Sequence, residues 1–87
     1  MEIIYSSKFA REYKKLPLKI KLLAEKQEKV FRKDPFDQRL KTHRLKGKFS
    51  DFYSFSIGYK YRIVFEFGKE KNKYIFIRRE IMISINN

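Results

Sequence analysis

The chain has 87 residues, with 22 Lys and Arg against 10 Asp and Glu, a formal charge of +12, one histidine and no cysteine. A chain this short builds one core, and nine Phe plus six Tyr supply its apolar area, so residues 1–87 are expected to form a single folded domain. The composition excludes a disulfide framework and a thiolate or histidine metal cluster, and no apolar run reaches the length of a signal or membrane segment. A cytoplasmic protein is expected, with no metal or other cofactor. The charge favours a polyanionic partner: nucleic acid, an acidic protein or an anionic membrane.

MEIIY has the β-branched character of a short strand, and Ser6 or Ser7 then offers a helix cap before KFAREYKKL, where Phe9, Tyr13 and Leu16 fall at helical spacing. Pro17 suits the first turn of a second helix, whose apolar stripe is Ile20, Leu23, Ala24, Gln27 and Phe31. That stripe is needed for the core, which argues against membrane binding by this basic helix. Asp34-Pro35 must end the helix, because a residue before proline is pushed out of the α region. A polar run to Lys48 reads as an extended loop.

Strand patterns follow. In DFYSFSI, Tyr53, Phe55 and Ile57 alternate with Phe52, Ser54 and Ser56; in YKYRIVFEF, Tyr59, Tyr61, Ile63, Phe65 and Phe67 alternate with Lys60, Arg62, Val64 and Glu66. Gly58 marks the turn between them, GKEKNK a second turn, and YIFI the start of a last strand. In IFIRREIMISINN, the alternation of Ile81, Ile83 and Ile85 extends that strand. The expected architecture is α+β, in the order β-α-α-β-β-β, with an N-terminal helical hairpin packed on one face of a small, mainly antiparallel twisted sheet.

If the helices cover the face bearing Tyr61 and Ile63, then Arg62 and Lys60 project from the opposite, open face with Ser54 and Ser56. RLKTHRLKGK, residues 39 to 48, gathers five cations, no acid and the sole histidine, and feeds into the first strand of that sheet. A concave cationic surface is expected, bordered by His43, Lys46 and Lys48. Arg39, Arg44 and Lys46 would oppose protonation of His43 and suit it to act as a base. Arg62, a planar fork on a strand, could fix a phosphate. Arg39, Lys41, Arg44, Lys46, Lys48, Lys60, Arg78 and Arg79 are candidate RNA or phosphate contacts.

The succession DPFDQRLKTHRLKGKFSDFYSFSIGYKYRIVFEF resembles the RelE/ParE superfamily of type II toxin-antitoxin toxins, in particular its RelE and YafQ-like branch. The matching elements are His43, Leu45 and Gly47, then Tyr53, then Tyr61-Arg62-Ile63-Val64-Phe65, and the resemblance covers about residues 1 to 77. It implies a ribosome-dependent endoribonuclease, an mRNA interferase that works without metal by attack of a 2′-hydroxyl on the adjacent phosphate. It also implies mRNA on the ribosome and a cognate antitoxin as partners, with His43 and Arg62 as catalytic residues. The branch usually closes with a glycine, a proton-transferring histidine and a tyrosine, none of which occurs after Ile75. An attenuated toxin, a catalytically inactive homologue that still binds ribosome or antitoxin, and a ParE-like gyrase inhibitor are the alternatives.

Overall fold

The computed structural model describes residues 1–81. The elements are β1 (Glu2–Tyr5), α1 (Ser7–Lys14), α2 (Leu18–Lys33), β2 (His43–Arg44), β3 (Tyr53–Ile57), β4 (Tyr61–Phe67) and β5 (Lys73–Ile81), with single 3₁₀ turns at Gln38–Leu40 and Gly47–Phe49. They form one five-stranded sheet in the order β1-β5-β4-β3-β2, in which β1 runs parallel to β5 and the other pairs are antiparallel. The α+β architecture is the expected one, with one strand more. That strand is β2, where His43 pairs with Ser54 and Arg44 with Tyr53. Two polar residues carry no alternation, so the sequence offered no sign of it. The expected continuation of β5 through Ile83 and Ile85 lies outside the described residues.

Local chemistry fixes the element ends. Ser6 Oγ accepts from the Phe9 N–H at 2.9 Å and donates to the Ile77 carbonyl at 2.6 Å, so one hydroxyl caps α1 and ties it to β5. Pro17 stands just before α2 rather than in its first turn, and its carbonyl accepts from the Ile20 and Lys21 amides. Asp34 ends α2 in the extended conformation that Pro35 requires. Gly58, at φ +84°, turns the chain after β3, so Tyr59 and Lys60 belong to the turn and β4 begins at Tyr61.

The core lies between the helices and one face of the sheet. Phe55, Ile57, Ile63, Phe65 and Phe76 meet Phe9, Leu16, Ala24 and Phe31 there, with Leu40 closing one end. Phe31 is its hub, with ring centroids 4.9 to 5.4 Å from those of Phe65, Phe55, Phe76 and Tyr74. Gln27, the polar member of the helical stripe, spends its amide on the Ser56 carbonyl at 3.0 Å and the Arg39 carbonyl at 3.1 Å. A bulge interrupts the β4–β5 ladder: Val64 pairs with Arg78 and Phe65 with Phe76, leaving Ile77 as the extra residue. Its effect is to set which β5 side chains face away from the helices. Among the described residues no helix is long and apolar enough to cross a membrane.

Candidate phosphate site on the far face

Side chains directly opposite each other in a ladder share a face. Arg62 pairs with Ser56 on β3 and Glu80 on β5, while Val64 pairs with Ser54 and Arg78. These residues, with His43 opposite Ser54, lie on the face away from the helices. The direction expected for Arg62 is correct, but the openness is not. Arg62 is only 8% exposed and Ser54 and Val64 are fully buried, although Val64 takes no part in the helix-side core. The segment from Lys41 to Phe52 folds back over this face as a strap. Leu40 is fully buried at its root, Thr42 Oγ1 donates to the Pro35 carbonyl at 2.6 Å, and the Leu45 N–H bonds the Phe52 carbonyl at 2.9 Å.

A charge in such a place has to be bonded. Arg62 Nε donates to Ser54 Oγ at 2.8 Å, and Nη2 donates to the Lys41 carbonyl at 2.8 Å and the Ser54 carbonyl at 3.2 Å. The carbonyl of Lys41 is available because that residue adopts a left-handed turn, at φ 52°. Nη2 also lies 3.1 Å from His43 Nδ1. Burial lowers the Arg62 pKa and Glu80 opposes that shift, but a guanidinium keeps its charge throughout the working range. Among the described residues Nη1 has no hydrogen-bond partner, so an anchored fork keeps one edge for a ligand.

His43 Nδ1 has two neighbours of opposite kind: Arg62 Nη2, which only donates, and the Lys41 carbonyl at 3.3 Å, which only accepts. In the first pairing the ring is neutral with its proton on Nε2; in the second Nδ1 carries a proton, and the ring can be an imidazolium.

The other candidates divide. Arg78 lies on the far face, with its guanidinium 5.9 Å from the Phe49 ring, and Lys48 Nζ lies 5.4 Å from the same ring. Lys46 is exposed at the start of the second 3₁₀ turn and Lys60 is exposed after Gly58. Lys41 contributes its carbonyl rather than its ammonium. Arg44 is turned to the Ser50 carbonyl. Arg39 is committed to Asp37, its Nη2 2.9 Å from Oδ2 and its Nε 3.0 Å from Oδ1. Arg79, expected at the open face, pairs with the core residue Ile63 and so points toward the helices; its backbone N–H bonds Glu12 Oε1 at 2.8 Å. The bulge is the reason, since without it Arg79 rather than Glu80 would stand opposite Arg62. The same bulge brings in a residue the sequence did not single out. Glu80 stands opposite Arg62, with a carboxylate oxygen 3.8 Å from Arg78 Nη1. The i, i+2 spacing from Arg78 was the available signal.

Compared with known proteins, the sequence matches no family model and no curated relative. Solved structures do match. The YoeB/ParE toxin from Agrobacterium tumefaciens superposes with a TM-score of 0.79 at 15% identity, over 95% of this chain and 100% of that one. A chain of the RelBE2 toxin-antitoxin complex from Mycobacterium tuberculosis gives 0.74 at 18% identity, over 92% and 95%. YafQ from E. coli gives 0.70 at 15% identity, over 92% and 91%. The chain therefore has the fold of these solved toxins.

Proposed function

We propose that the chain is the toxin of a type II toxin-antitoxin pair, a cytoplasmic endoribonuclease that cuts messenger RNA on the ribosome and is held in check by a cognate antitoxin. The observation that carries this reading is the anchored Arg62 beside the sole histidine. The guanidinium is fixed through Nε and Nη2, and Nη1 has no hydrogen-bond partner among the described residues. A phosphate held there meets the histidine on one side and the cations Arg78 and Lys48 nearby. Cleavage needs no metal in this scheme. A 2′-hydroxyl loses its proton and attacks phosphorus, the cations stabilise the crowded phosphorane, and the 5′-oxygen leaves protonated. His43 takes one of the two proton transfers. The net charge of +12 supplies the attraction to RNA and, in the absence of RNA, to an acidic antitoxin.

Cleavage of ribosome-bound message by the purified protein tests the reading. Arg62→Ala is expected to lower the rate by about 10²-fold or more, and His43→Gln by a similar factor. A second reading is favoured by the share of Arg62 donors already spent on the strap: a homologue that binds ribosome or antitoxin and does not cut. Wild-type protein that binds ribosomes yet leaves message intact, indistinguishable from both variants, would establish it.

A further inference from the structure

We propose that Glu80 is the proton acceptor for the attacking 2′-hydroxyl, with His43 donating to the leaving oxygen across a phosphate held by Arg62; this deepens the ribonuclease reading and rests on it. In-line displacement needs an acceptor on one side of phosphorus, a donor on the other and a cation between them. Across the sheet the far face presents Glu80 on β5, Arg62 on β4 and, beyond Ser54 of β3, His43 on β2. That is the required order.

Of the ten acids, Glu80 is the one whose strand position faces Arg62. Glu66 shares the face but sits four residues along β4, roughly 13 Å away at strand rise. Asp34 and Asp37 hold turns, Glu28 is engaged by Tyr5 and Arg32, and Glu12 takes the Arg79 amide. The Glu80 side chain is 35% exposed and makes no hydrogen bond among the described residues; its approach to Arg78 at 3.8 Å is too long for one. Its oxygens are free to accept.

The step then balances. The 2′-oxygen forms a bond to phosphorus as its proton passes to the Glu80 carboxylate. The bond from phosphorus to the 5′-oxygen breaks, and that oxygen keeps the electron pair. It takes the Nε2 proton of an imidazolium His43 whose Nδ1 proton rests on the Lys41 carbonyl, 3.3 Å away. The products are a 2′,3′-cyclic phosphate and a 5′-hydroxyl; Glu80 is left protonated and His43 neutral, and exchange with water resets both.

The test uses ribosome-bound message carrying either the natural 5′-oxygen or a bridging sulfur at one scissile position, because a thiolate leaves without protonation. Glu80→Gln is expected to slow cleavage of both messages by about 10²-fold or more, whereas the His43→Gln defect shrinks toward wild type on sulfur. Glu80→Asp, which keeps the carboxylate, is expected to fall between wild type and Gln, and thermal unfolding of each variant separates a lost proton acceptor from a lost fold. Glu80→Gln cleaving at or above the wild-type rate, or rescued by sulfur, overturns the assignment and makes Glu80 a counterion for the arginines. Wild-type protein inert on both messages overturns the ribonuclease reading and this proposal with it.

Discussion

The two faces of the sheet are buried by different physics. On the helix side Phe31 touches four aromatic rings, and two helices supply a cover that is non-directional and insensitive to salt. On the far side the cover is a strap whose regular structure amounts to the two-residue strand β2 and one 3₁₀ turn, gathered on the hydrogen bonds of one guanidinium. A cover of the first kind has many redundant contacts and one of the second has few. The candidate site lies under the cover with fewer contacts, and opening of that cover without global unfolding is the expected behaviour.

Cutting each cover at its hub sharpens that contrast. Phe31→Ala removes a fully buried ring from the helix side, and the expected loss is about 3–5 kcal/mol, read from the denaturant midpoint. For a domain this small, that is a large part of the total stability. Arg62→Met keeps much of the side-chain volume but leaves the Lys41 carbonyl and Ser54 without their donor; about 1–3 kcal/mol is expected. The distribution separates the two more than the size. Hydrogen exchange in Arg62→Met should rise over residues 41–54 and leave α2 and β5 protected, whereas Phe31→Ala should raise exchange in every element. Equal, global deprotection by both variants would break the comparison. Ser54→Ala removes one acceptor of the fork, so about 1 kcal/mol is expected, with the exchange change confined to the strap.

What could be read from the chain follows the same division. Ser6, Pro35 and Gly58 act on their neighbours, and the alternations of Phe55 and Ile57 or Ile63 and Phe65 reflect one buried face, so helix ends, strand identity and the helix-side core were legible. The direction of Arg62 came from the same alternation. Its burial did not, because it depends on a strap that returns from 21 residues earlier, and nothing in LKTHRLKGK marks where that segment lands. The bulge at Ile77 is equally silent, yet it decides that Glu80 rather than Arg79 stands opposite Arg62. Arg39 was misplaced for a simpler reason: an aspartate two residues earlier was a nearer partner than any phosphate.

That pair, Asp37 with Arg39, gives the smallest expected effect and bears on the root of the strap. The carboxylate accepts from the Arg39 side chain and from its amide, and these bonds, the side chain's first, lower its pKa from 3.8 to about 2. A folded value below the unfolded one means the contribution is fully present above about pH 4 and is lost as pH falls through about 2. Both groups are at the surface, so water and salt screen the pair and little global stability rides on it. The local signal should still be distinct. Amide chemical shifts of Gln38 to Leu40 are expected to titrate with a midpoint near 2 in wild type and to stay flat in Asp37→Asn, while amides around Phe31 do not follow. Titration spreading into the helix-side core would mean that the two covers are coupled through Leu40, which is buried between them, and the strap could then not open on its own.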